Sequence, residues 1–278
     1  MTYRSLLVLL DADPTFETRL DAAIRLAKSF DCHLVGAAPT GWIQMPAAPE
    51  LVSSLNDLYT LAWDSLRGQA EAAAQGFRDA CRKAGLTSFE AVVEEGDKAS
   101  CLIRCAHCSD LTVLTHAPAS PGGQTARALV EQVVLQSARP TLVLPPVARQ
   151  DTPGRNVLVA WDDSREASRA VWDALPLLRR AGQVQVTAWD ESGPQSSFLS
   201  ERLQSLLQWL AWQGVAAQVN VEVPQTDVPS AILSRALDLG ADLVVMGAYG
   251  HARWAERLLG GATRGLLDKA VVPLMMTH

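Results

Sequence analysis

Apolar runs alternate with amphipathic stretches along this chain, and the whole series occurs twice. An apolar run at residues 6–10 ends at Asp11, and a second at 157–161 ends at Asp162. Each leads into a stretch with apolar residues at helical spacing, 16–30 in one copy and 165–181 in the other. The series continues in step. Strands are predicted at 32–38 and 184–190, long helices at 56–84 and 197–214, and third strands at 89–94 and 217–223. Short helices at 98–107 and 229–239 precede fourth strands at 109–115 and 241–247. A last helix and strand close each copy, at 138–145 and 271–277. A period this long marks a duplicated structural unit.

The register locates an insertion. Asp11 and Asp162 are 151 positions apart, whereas Asp110 and Asp242 of the fourth strands are 132 apart, so the first copy holds 19 extra residues. The Pro- and Ala-rich stretch 39–55 is where they are expected. Residues 149–155, with Pro153 and Gly154, read as the linker. The expected domains are therefore 1–148 and 155–278. Strands that alternate with helices require crossovers and hence a mostly parallel sheet covered on both faces. The expected fold class is α/β, as two tandem doubly wound five-stranded sheets. In such sheets ligands sit outside the carboxyl ends of the strands, near the switch in strand order.

The chemistry concentrates after the fourth strand of the second copy. Gly247, Gly250, Gly260 and Gly261 follow a buried strand and open a helix, with Ala262 and Thr263 next. Glycines let a ligand approach the backbone closely. Amide groups at a helix start, together with the helix dipole, favour phosphate. Arg253, Arg257 and Arg264 are candidate phosphate partners.

This G-x2-G-x9-G spacing, in a repeated five-strand unit, resembles the signature of the universal stress protein family. The resemblance covers nearly the whole chain as two copies and is similar to the tandem members of that family. It implies the adenine nucleotide α-hydrolase-like fold and an ATP site, with or without Mg. On that resemblance Asp162 contacts the adenosine, Trp189 or Asp190 lies near the base, and Met246 and Gly247 line the nucleoside pocket. Gly250, Gly260, Gly261, Ala262 and Thr263 would cradle the phosphates. One position departs: Gly261 stands where Ser or Thr is usual, at an expected cost on the order of 1 kcal/mol for a lost hydrogen bond. The competing reading of the glycines is tight packing of helix on strand, and that of Asp162 or Ser164 is capping of the next helix.

The first copy lacks the loop. Pro118 falls where Gly250 stands and Ala128 where Gly260 stands, and proline has no N–H to donate. Weak or no ATP binding is expected there, leaving a structural role or a different ligand in a pocket shaped by residues 39–55.

Composition narrows the remaining options. The chain has 278 residues, is 48% hydrophobic and carries a net charge of −6. It has no Lys/Arg-rich run, which argues against a dedicated nucleic-acid binder. No apolar run reaches the roughly 18–20 residues of a membrane span, so a cytoplasmic protein is expected. The five cysteines all lie in the first half and are odd in number, as for reduced thiols. Cys101, Cys105 and Cys108 share a predicted helix face expected to lie on the sheet, so packing is preferred over metal binding. No residue stands as a general base for water, so at most slow ATP hydrolysis is expected. An ATP-independent interaction module is the main alternative. A nucleotide-transfer enzyme ranks lower, because neither H-x-G-H nor S-G-G-x-D-S occurs. The resemblance further implies that strands 141–144 and 274–277 pair within the chain as a pseudo-dimer. Association of two chains is left open.

Overall fold

The computed structural model describes residues 2–42, 52–116, 123–147, 152–190, 197–249 and 261–278. The first half runs β1 (Ser5–Leu9), α1 (Phe16–Phe30), β2 (His33–Pro39), α2 (Val52–Lys83), β3 (Phe89–Glu94), α3 (Lys98–Ala106), β4 (Leu111–Thr115), α4 (Gly123–Gln136) and β5 (Thr141–Leu144). The second repeats the series as β6 (Asn156–Trp161), α5 (Arg165–Leu178), β7 (Gln183–Trp189), α6 (Ser197–Trp212), β8 (Gln218–Glu222), α7 (Val228–Asp238), β9 (Leu243–Gly247), α8 (Gly261–Lys269) and β10 (Leu274–Thr277).

The ten strands form one sheet in the order β3-β2-β1-β4-β5-β10-β9-β6-β7-β8. Each half has the same internal order, and every pairing within a half is parallel. Both faces are covered, so the inner strands are apolar throughout and alternate residues feed two cores. Leu6 and Val8 point to the core beneath α1, α2, α5 and α6. Leu7 and Leu9 point to the core beneath α3, α4, α7 and α8.

The two five-stranded sheets meet at β5 and β10, which pair antiparallel with Met275 opposite Leu142. The seam expected between these strands is thus part of the sheet, and it protects two edges that would otherwise be open. Side chains tie it on both faces. On one, the Tyr3 hydroxyl donates to the Asp173 carbonyl at 2.8 Å. Arg180 donates to the Ser29 carbonyl at 2.6 Å and lies 4.0 Å from the Phe30 ring centre. On the other, Arg127 donates to both carboxylate oxygens of Asp268, at 2.7 and 2.9 Å, and the His116 ring Nε2 lies 3.0 Å from the Ala270 carbonyl. Because the seam is antiparallel, the strands of the two halves run in opposite directions. Their carboxyl ends therefore open at opposite ends of the sheet.

Two sequence expectations are corrected. The extra residues of the first copy are mostly helix: α2 has 32 residues and α6 has 16. The stretch 39–55 therefore runs into α2, while residues 43–51 lie outside the described residues. Cys108 is exposed beyond the end of α3, whereas Cys101 is buried and Cys105 half-buried, so the three do not share a buried face. The fourth-strand aspartates, noted only as landmarks, have a structural role. Asp110 accepts the amides of Arg4 and Ser5, and Asp242 those of Gly154, Arg155 and Asn156. Each thereby anchors the start of the neighbouring strand.

Candidate functional site

Asp162 follows β6 directly, at the strand end where the doubly wound topology places ligands. Its Oδ1 accepts the Ser164 amide at 3.0 Å. Ser164 is the N-cap of α5, and its hydroxyl accepts the Ala167 amide at 3.0 Å. Capping thus falls to Ser164, and the second carboxylate oxygen of Asp162 has no partner among the described residues. The backbone around it is held in uncommon conformations. Asp163 has φ 59° and Tyr249, two residues past β9, has φ 57°. Such left-handed non-glycine residues cluster at functional sites. Asp163 is fixed by paired hydrogen bonds from Arg202, at 2.9–3.2 Å.

Gly247 ends β9 against the first turn of α5. A Cβ there would lie 2.5 Å from the Ala167 nitrogen and 2.7 Å from the Glu166 carbonyl carbon, so close packing alone requires the glycine. Met246 and Trp189 are buried, both in the core beneath α7 and α8. The Trp189 indole N–H has no hydrogen-bond partner among the described residues. Trp189 also lines a cavity of about 410 Å³ with Glu222, Ser230 and Arg235. Helix α8 begins at Gly261, as the glycine pattern requires, and its first turn contains Ala262 and Thr263. Gly250 and Gly260, together with Arg253 and Arg257, lie outside the described residues, as do the side chains of residues 261–264.

The corresponding crevice of the first half holds the same aspartate in another state. Asp11 accepts from the Arg19 guanidinium at 2.6 Å through Oδ1 and from the Lys98 ammonium at 2.6 Å through Oδ2. Arg19 is 2% exposed and also donates to the Leu9 carbonyl at 3.1 Å and the Thr115 hydroxyl at 2.6 Å. At the positions of Arg19, Lys98 and Thr115 the second half has Ala170, Val228 and Gly247. The two cations that neutralise Asp11 therefore have no counterparts around Asp162.

Beside this ion pair the first half keeps a cavity of about 370 Å³, whose lining includes Leu9, Leu114 and Leu129 and the polar Asp13, Asp97 and His116. Residues 43–51, most of the stretch expected to shape this pocket, lie outside the described residues. Burial would raise the Asp13 carboxyl, but hydrogen bonds from the Thr15 hydroxyl and amide outweigh it and hold the group below its ordinary range. Among the described residues no group of three or more His, Cys, Asp or Glu converges as a metal site would.

Sequence reading brought Asp162, Met246, Gly247 and the start of α8 to one region. It missed Arg19 and Lys98. A signal for Arg19 was present: it sits on the apolar stripe of α1 with Ala23, Ala27 and Phe30, where a charge needs a buried partner.

Residues 154–278 match the universal stress protein family. No curated protein matches the chain. The fold is similar to the crystal structure of a universal stress protein from Archaeoglobus fulgidus DSM 4304, with a TM-score of 0.69 and 16% identity over 98% of this chain and 95% of that one. It is also similar to a functionally unknown protein from Pseudomonas aeruginosa PAO1, with a TM-score of 0.59 and 18% identity over 99% and 92% of the two chains. At these identities the likeness concerns the fold. No helix among the described residues is long and apolar enough to cross a membrane.

Proposed function

We propose, with residues 154–278 belonging to the universal stress protein family, that the chain is an ATP-binding stress-response or signalling protein with one nucleotide site, in its second half. The contrast between the two aspartates carries this reading. Asp11 is saturated by Arg19 and Lys98, whereas among the described residues the second carboxylate oxygen of Asp162 has no hydrogen-bond or ion-pair partner. A free carboxylate accepts hydroxyl or amino protons, which a nucleoside offers.

In this reading Asp162, Met246 and Gly247 hold the adenosine and Trp189 lies near the base, its unpaired N–H available to a ring nitrogen. The phosphates, with or without Mg, rest on the amides of Gly250, Gly260, Gly261, Ala262 and Thr263. The chain divides into domains 1–148 and 155–278, acts in the cytoplasm without efficient catalysis, and uses ATP to set conformation or partner choice. The first half binds no ATP, because its aspartate is occupied and Pro118 replaces a glycine amide.

Titration of the purified protein with ATP by calorimetry tests this. One site per chain is expected, weakened roughly tenfold in Asp162→Asn and unchanged in Asp11→Asn. Saturation at a hundred times Kd would raise stability by about 2.7 kcal/mol. No heat of binding, with an unchanged melting temperature, would establish the ATP-independent interaction module instead.

A further inference from the structure

On the other face of the second half, α5 and α6 leave a groove over the end of β6. Trp161 contributes to its lining, with Val171 and Trp172 from α5 and Arg202, Leu206 and Trp209 from α6. The cavity is about 380 Å³, within the range of small-molecule pockets.

Three observations give it a chemical character. The Trp172 and Trp209 rings lie with centres 6.0 Å apart and planes tilted by 33°, so they form an aromatic wall. Trp161 is 5% exposed, yet its indole N–H has no hydrogen-bond partner among the described residues. A buried unpaired donor is costly, and an acceptor placed beside it would relieve that cost. The charge of Arg202 is already met by Asp163 at 2.9 Å, which disfavours an ionic ligand.

The same place in the first half is filled. Leu10 stands where Trp161 does, and with Phe77 it packs down on Gly36 so closely that a Cβ there would meet Leu10 at 2.8 Å and Phe77 at 3.1 Å. Leu10 and Phe77 are fully buried. The groove is therefore a property of the second half and not of the repeated unit.

We propose that this groove binds a neutral, flat molecule of two fused aromatic rings bearing a ring-nitrogen acceptor. The nitrogen accepts the Trp161 N–H, and the rings lie against Trp172 and Trp209. Stacking on such walls is favourable beyond the area buried, while the hydrogen bond selects for the nitrogen. The site is independent of the nucleotide reading, since it lies on the opposite face of the sheet from α7 and α8.

Quinoline and naphthalene at pH 7.5 provide the test, because they differ only by the ring nitrogen. Binding to the full chain is measured by ligand-observed NMR. Quinoline is expected to bind about tenfold more tightly than naphthalene, the effect of one hydrogen bond. Trp161→Phe should bring the two to equal affinity. Leu206→Phe, which copies Phe77 of the first half, should abolish binding of both. Circular dichroism checks that each variant is folded, and if Trp161→Phe is not, the wild-type ratio and Leu206→Phe still decide. Equal affinities in the wild type, no binding of either probe, or binding that survives Leu206→Phe would overturn the proposal.

Discussion

At the end of β1 a carboxylate is gripped by two cations, and at the end of β6 its counterpart is held by one backbone amide. The strands, helices and sheet order around them are the same. The side chains that grip the first carboxylate are what the second half lacks: Arg19, Lys98 and Thr115 stand against Ala170, Val228 and Gly247. The comparison shows how little must change for a strand-end crevice to become part of the framework. In the first half the crevice aspartate is a structural ion-pair partner. In the second the same position has no such ion pair among the described residues.

The largest test of this contrast is Arg19→Met. Removing the buried partner leaves Asp11 with the half-exposed Lys98 alone, and about 3 kcal/mol of stability should be lost. The loss would appear as a lower urea midpoint. Ala170→Ser at the matching position should shift it by less than about 1 kcal/mol. Next comes Gly247→Ala, whose new Cβ meets the backbone of α5 and should destabilise by about 2 kcal/mol. Thr115→Ala removes only a hydroxyl hydrogen bond to Arg19 and should cost about 1 kcal/mol. If Gly247→Ala proves neutral, close packing is not what requires glycine there. Asp162→Asn should leave stability nearly unchanged and weaken ATP binding roughly tenfold, while Asp11→Asn should do the reverse.

The smallest expected effect is a pH dependence common to both halves. Asp97 accepts the Ser100 amide and Asp227 the Ser230 hydroxyl and amide, which hold both carboxyls below their ordinary value of 3.8. A depressed carboxyl contributes stability above its unfolded value, and that contribution is lost as pH falls through the folded value. The caps of α3 and α7 should therefore hold at pH 5 and weaken below about pH 4. Amide exchange at Ser100 and Ser230 would follow it.

Much of the scaffold was legible because it depends on local pattern. The bounds of α1 and the pairing of β5 with β10 followed from apolar spacing, the repeat and the family resemblance. What was not legible depends on tertiary contact. Arg19 finds Asp11 across a turn and Thr115 across 96 residues, and no periodicity encodes that meeting. The insertion was placed at the Pro- and Ala-rich stretch 39–55, yet most of the added length lies in α2, which starts at Val52 and is 32 residues long against 16 in α6. Gly247 was read as a ligand contact or as close packing of helix on strand, and its nearest neighbours are the first turn of α5. A strand-end glycine looks the same in sequence whichever neighbour comes close.

The antiparallel seam between β5 and β10 bears on how such a molecule can change over generations. In a symmetric pair of identical chains, every substitution appears twice, so a cation that closes one crevice closes both. Here the two partners are encoded separately and joined covalently. Arg19 could arise in one half while Ala170 was kept in the other, with the shared sheet still assembled at any protein concentration. The covalent link therefore frees each half to mutate alone, and an aspartate braced by two cations in one half and without those two in the other is what that freedom permits.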